Sequence, residues 1–310
     1  MGTSGSYGGA GNRSPLIPSF LNDPAPASAP MLPGPSTPPA PGPTGPGPTA
    51  PGNPTPAPPS PRPATTPSSP GSSSPPVQAP LPNRFTSPRT NFSRFARSGG
   101  SDRASLGRAL AGYVSTAAGG SRQATRRMGA SRGAGARLYS FLADAQARGP
   151  TEALRALNLQ ALSGRPLQEV FLGIAEYVCP IGGTVDEGIA RDAFVETIAD
   201  LADQGIVDFD TMTPAQMQTT FEMFVTNTIE ARIYNDIGSN GIALPSDVAA
   251  VERVQDQLHD FISRAVGDAL ADTANAASPL TQQDALRHVD TVYEAAFDML
   301  QTLAEGESET

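Results

Sequence analysis

Two histidines, His259 and His288, one cysteine, Cys179, and many carboxylates after Glu169 are the residues of this 310-residue chain best equipped for proton transfer, nucleophilic attack or metal binding. Their spacing assembles none of those devices. No HExxH pair and no Cys/His cluster exists, so no metal-ligand set is offered. The histidines fall in different predicted helices among acids, which suits surface or core-edge roles. Cys179 closes an apolar helical run and Pro180 opens a turn; a Cys–His nucleophile is conceivable there, but a small buried thiol is the simpler role. Asp186, Glu187, Asp192, Asp200 and Asp203 could act as acid and base only in a pocket that separates their pKa values, and no such pocket is marked, so solvated helix faces account for them. All 21 basic residues are Arg and none is Lys, which excludes a P-loop lysine, a Schiff-base lysine and a Ser–Lys dyad. GASRGAG lacks the GxGxxG spacing, and there is no GxSxG elbow. These residues describe a non-enzymatic protein without a cofactor or metal.

The arginines themselves are a stronger signal. Residues 84–137 hold eleven Arg against one acid, Asp102, whereas from Leu138 onward eight Arg face 28 acids. The formal charge of -9 is therefore the mean of a dipolar chain. Guanidiniums interleaved with Phe85, Phe92 and Phe95 could hold phosphates and stack bases, with affinity falling as salt rises. The alternative is docking onto the acidic helices of the same chain or onto an acidic partner, and the nearby negative charge favours it. Arg122, Arg126, Arg127 and Arg132 are the candidate contacts in either case.

The first nine residues, MGTSGSYGG, raise a different chemistry. They are not a signal peptide: the first Arg is Arg13, and Pro15 and Pro18 interrupt the one apolar stretch. Gly2 is small enough for the initiator Met1 to be trimmed, which would leave a glycine amine, the least hindered N-terminal nucleophile. The pattern M-G-x-x-x-[ST], with Ser6 in place, formally matches N-myristoylation. That reaction needs a eukaryotic enzyme, and an all-Arg composition points instead to a GC-rich bacterial genome. A single cysteine excludes an intramolecular disulfide and fits a reducing cytoplasm. No apolar run approaches the roughly 18 residues of a membrane span.

The elements that must carry these groups follow from composition and period. Of 33 prolines, 26 lie in residues 1–83, mixed with Gly, Ser, Thr and Ala. Such residues cannot bury enough apolar area to offset chain ordering of roughly 1–2 kcal/mol each. The expected layout is a peptide motif at 1–21, a disordered Pro-rich linker at 22–83, an Arg-rich segment with a first helix at 84–137, and an acidic helical domain at 138–310. Fully extended, the linker would reach on the order of 190 Å. Ser101 is expected to cap a helix through about Ala118, ended by Gly119-Gly120, and a second runs from about Ala136 to Arg148. The basic RQATRRMGASRGAG between them has no clear assignment. Further helices are predicted in TEALRALNLQAL, from Pro166 to Cys179, from the Thr184/Glu187 capping box to about Asp203, and from Pro214 to near Asn235. Two more are predicted from Ser246 to about Ala271 and from Ser278-Pro279 onward, the last with Leu286, Val289, Tyr293, Phe297, Leu300 and Leu303 as its stripe. The expectation is all-α, with about seven to nine helices.

The stretches MGTSGSYGG, SPLIPSFL, SLGRALAGYVSTAAGGSRQATRRMG, ARLYSFL and CPIGGTVDEGIAR together resemble the B component of the bacterial Qat anti-phage defence systems. That resemblance implies a four-component system: an ATPase, this protein, a QueC-like enzyme related to 7-deazaguanine synthesis, and a TatD-like DNase. It further implies that an N-terminal glycine accepts a 7-deazaguanine-type group from the QueC-like enzyme. Gly2 is then the modified residue, or Gly5, Gly8 or Gly9 if a longer piece is cleaved. Thr3, Ser4, Gly5 and Ser6 would pass into a narrow pocket of that enzyme in extended form.

Overall fold

A helix begins at Thr86 because Phe92, Phe95, Ala96 and Pro88 fall on one side of TSPRTNFSRFAR, and all four are buried. Pro88 sits within the first turn, where its missing amide breaks no helical hydrogen bond. This helix, α1 (Thr86–Arg97), is the first in a computed structural model that describes residues 83–238, 245–273 and 281–309. The linker expected at 22–83 and the motif at 1–21 lie outside those residues, Asn83 apart.

Nine more α-helices follow among the described residues: α2 (Arg103–Gly112), α3 (Ser121–Arg126), α4 (Gly129–Arg148), α5 (Pro150–Ala156), α6 (Leu167–Val178), α7 (Val185–Asp203), α8 (Pro214–Ile233), α9 (Val248–Thr273) and α10 (Gln282–Ser308). Two short π-helical pieces, Tyr113–Ala118 and Tyr234–Gly238, extend α2 and α8. No strand occurs among the described residues; the isolated bridge between Pro166 and Asp208 is the nearest approach. The all-α expectation is met, and α1 and α3 add two helices where none had been assigned.

Local chemistry sets the boundaries. Thr184 accepts from the Glu187 amide at 3.2 Å while Glu187 accepts from the Thr184 amide at 2.9 Å, the reciprocal cap expected there. Thr213 and Gln216 repeat that arrangement at the start of α8. Four predicted starts shift. Helix α4 begins at Gly129, ahead of the start expected at about Ala136. Asp102, not Ser101, caps α2 by accepting from the Ser105 amide at 2.9 Å. The first amides of α9 go to the Asp247 carbonyl, and α10 is capped by Thr281, while Ser278 and Pro279 lie outside the described residues. Along α10, Leu286 is 39% exposed, and Ala285, Val292 and Ala296 complete the buried stripe.

One hydrophobic cluster runs from Phe92 to Ala304, so the basic and acidic stretches share a core. Its largest members include Tyr113, Tyr293, Phe171, Phe194, Phe224 and Phe297. Phe171 and Phe194 lie nearly parallel with centroids 5.9 Å apart, and Phe141 and Phe209 stack at 5.3 Å, separations typical of favourable aromatic pairs. Helix α10 packs against α2, α3, α4 and α9. Its crossing with α2 is close because Gly107 has no side chain: a Cβ there would lie 2.5 Å from the Ala304 carbonyl oxygen. No described helix is long and apolar enough to cross a membrane.

Candidate functional site

The candidate site residues of the amino terminus, Gly2, Thr3, Ser4, Gly5, Ser6, Gly8 and Gly9, lie outside the described residues. The arginine contacts can be placed. Arg122, on α3, reaches Glu294 of α10 at 3.2 Å across an exposed surface. Arg132, on the first turns of α4, donates to Asp290 of α10 at 2.5 Å and is 20% exposed. Arg127, just after α3, donates to the Ala117 carbonyl at 3.2 Å, closing the loop that the two positive-φ glycines Gly119 and Gly120 turn. Arg126 is exposed. Two of the four thus face carboxylates of α10.

The remaining basic residues of the stretch divide the same way. Arg103 approaches Glu307 at 3.7 Å, and Arg108 approaches Asp102 at 4.0 Å and donates to the Ser308 carbonyl. Arg137 donates to the Val178 carbonyl at the end of α6 at 2.8 Å, where unpaired carbonyls attract cations. Arg89 does likewise at the far end of α8, donating to the Asp236 and Ile237 carbonyls at 2.9 and 3.2 Å. Phe92 and Phe95 are 1% and 0% exposed. They are core residues and cannot stack bases, which corrects their reading as a nucleic-acid platform; their spacing marks the buried face of α1. Phe85 is half-buried, with the guanidiniums of Arg84 and Arg89 over its ring at 4.9 and 5.5 Å.

The most connected polar group was not visible as a motif. Asp186, expected on a solvated face, instead accepts from the Ala130 amide at the start of α4 at 2.6 Å and lies 3.6 Å from Arg232 of α8. Arg232 also reaches Asp236 at 3.3 Å, and the Tyr113 hydroxyl donates to Asp236 at 3.0 Å. Burial, reinforced by the Asp236 charge, pushes the Tyr113 phenol well above its ordinary range, so it acts as a fixed neutral donor. Side chains of α2, α7 and α8 and an amide of α4 thus meet at two carboxylates and one guanidinium. Apart from Arg232 and Asp236, each interacting pair is 46 or more positions apart, so no local spacing could reveal them.

The other reactive groups are occupied in structural ways. Cys179 is buried, its Sγ 3.4 Å from the Ala190 carbonyl, and burial pushes the thiol up to about 12, too high for a nucleophilic thiolate near neutrality. His259 pairs with Glu230 at 2.8 Å, and His288 packs over Tyr139 at 4.7 Å. Asp200 accepts from the Asn227 amide group at 2.9 Å. Hydrogen bonds from the Thr184 amide and hydroxyl hold the Glu187 carboxyl below its usual range. No group of three or more His, Cys, Asp or Glu side chains among the described residues is arranged to hold a metal ion.

Open cavities on the described surface include two with charged linings. One, about 420 Å³, runs along α1 and is lined by Thr86, Arg89, Thr90, Ser93, Arg94 and Arg97. The other, about 330 Å³, lies between α2, α9 and α10, where Arg103, Arg264, Asp260 and Glu307 bring both signs of charge together.

No curated protein and no solved structure matches the chain. The family model of the Qat anti-phage system associated protein QatB matches residues 119–300. That match starts at the Gly119 turn and runs through the Asp186–Arg232 network into the last turns of α10, across more than half of the sequence. Helices α3 to α10, with the interhelical polar network that joins them, are thus the body of a known family: the chain belongs to QatB, the associated proteins of the Qat anti-phage system.

Proposed function

We propose that this component of the Qat anti-phage system acts as a protein substrate and not as an enzyme, its N-terminal glycine receiving a 7-deazaguanine-type group from a QueC-like enzyme while its helical body docks partner proteins such as the system ATPase. The observation that carries the reading is the contrast between the two ends of the chain. In the body, arginines and carboxylates that might do chemistry are engaged with one another, and the one thiol is buried and protonated. In MGTSGSYGG no side chain is charged and residues 2–6 are all small, and a proline-rich stretch separates it from the body. A carboxyl group activated with ATP would be attacked by the Gly2 amine once Met1 is removed; the N–C bond forms, the amine loses a proton, and the activating group leaves. Thr3, Ser4, Gly5 and Ser6 would follow the amine into the enzyme. Gly5, Gly8 and Gly9 are the acceptors if a longer peptide is removed. The TatD-like DNase completes the set of partners, and the site of action is the cytoplasm.

Intact-mass measurement of the chain co-expressed with its system neighbours tests this directly. A mass increment on the first tryptic peptide, lost in Gly2→Val, is the expected result. An unmodified terminus, with phage defence unchanged in Gly2→Val and Thr3→Val, overturns it. The alternative, a nucleic-acid adaptor using all of residues 84–137, fits poorly with a stretch in which Phe92 and Phe95 are buried and Arg103, Arg108, Arg122 and Arg132 are engaged with α10.

A further inference from the structure

We infer that the outer face of α1 is a binding strip for the phosphodiester backbone of nucleic acid, a reading that does not depend on the fate of the amino terminus. Helix α1 contains three arginines and no acid. Its outer residues form two adjacent rows, Thr86–Thr90–Arg94 and Arg89–Ser93–Arg97, each stepping four residues or about 6 Å along the axis. The six line the open cavity of about 420 Å³, so the groups share one groove. No ion pair joins Arg84, Arg89, Arg94 or Arg97 to a carboxylate among the described residues. The nearest acid in sequence, Asp102, accepts from the Ser105 amide and lies 4.0 Å from Arg108; the Arg94 charge also acts on it, without an ion pair.

Three features favour phosphates over an acidic protein. First, every side chain lining the groove is an arginine, threonine or serine, residue types that contact phosphate oxygens. Second, it offers no apolar anchor: Pro88, Phe92, Phe95 and Ala96 are all turned into the core, whereas a protein interface keeps an apolar, often aromatic centre. Third, Arg89 is held by the carbonyls of Asp236 and Ile237, so one end of the strip is fixed and its ordering cost on binding is small. Without base-edge or stacking groups, the contact would be independent of sequence.

The test is fluorescence anisotropy of the full chain with a labelled 20-base-pair duplex between 50 and 200 mM salt. With about three phosphates neutralised, log affinity should fall against log salt with a slope near -2.7. Arg94→Gln/Arg97→Gln should reduce that slope to about -0.9 and weaken binding at 50 mM salt at least tenfold. Arg103→Gln/Arg122→Gln, which removes two guanidiniums that face Glu307 and Glu294, should change affinity less than twofold. Circular dichroism of the exposed Arg94 and Arg97 variants should match the parent. Absence of binding at 50 mM salt, equal binding by the Arg94/Arg97 variant, or binding of poly-glutamate that duplex DNA fails to displace would each overturn the proposal.

Discussion

The arginines of α1 and those of α2 to α4 come from one basic stretch, yet they meet opposite surroundings. Arg132 and Arg122 face Asp290 and Glu294, one turn apart on α10, and Arg103 faces Glu307 near its end. Arg94 and Arg97 face solvent, and Arg89 is held by carbonyls at a helix end. The difference is one of neighbours: α10 packs on α2, α3 and α4, whereas α1 packs mainly on α2. A run of positive charge in a sequence therefore reports a field, and only the packing decides which part of that field is neutralised.

The largest blow to this division should come from Arg232→Met. It leaves Asp186 and Asp236, 19% and 12% exposed, without their shared cation, and should cost about 3 kcal/mol in urea unfolding. If the loss is under about 1 kcal/mol, the network is not what joins α7 and α8 to the basic helices. Gly107→Ala comes next, because its Cβ would meet backbone of α10 at 2.5 and 2.8 Å. Overpacking of this kind costs about 2 kcal/mol and should lower the melting temperature by several degrees. Arg132→Gln, at a pair that is only partly exposed, should cost about 1 kcal/mol.

Smaller effects should separate the two histidines by sign. The hydrogen bond to Glu230 raises the His259 pKa, so the folded state binds its proton more tightly. The stability this adds is fully present below about pH 6.5 and lost as pH rises through the folded value. Burial lowers the His288 pKa, so stability instead falls as pH drops below about 6.5. Unfolding midpoints between pH 5 and 8 should become less dependent on high pH in His259→Gln and on low pH in His288→Gln. The same direction in both would contradict these environments. At the bottom of the scale, Arg122→Gln and Arg94→Gln should each change stability by less than about 0.5 kcal/mol, although only the second lies on the proposed phosphate strip.

Much of the architecture was legible where one residue decides it. Thr184 with Glu187, Pro214 at a first helical position, and Gly119-Gly120 after the π-helical segment each set a boundary through a single backbone interaction. Helix α1 escaped detection because polar residues occupy most of its positions and only Phe92, Phe95 and Ala96 mark its inner face, together with a proline usually read as a breaker. Leu286 is apolar in type yet lies off the buried side, which the 3.6-residue period assigns to Ala285, Val289 and Val292. The Asp186–Arg232–Asp236 network was out of reach for another reason: it joins groups brought together only by tertiary packing.

The position of α10 has a consequence in time. As the chain leaves the ribosome, α2, α3 and α4 appear some 150 residues before the helix that supplies their acidic partners and fills the close crossing at Gly107. Until α10 arrives, the parts of those helices that it covers lack a partner, and the guanidiniums that pair with its acids are left unneutralised. Pairing across such separations carries a large loop-closure cost. The body is consequently completed late, in a step that joins its first described helices to its last. Amino-terminal fragments that stop short of α10 should accumulate as aggregation-prone, protease-sensitive species.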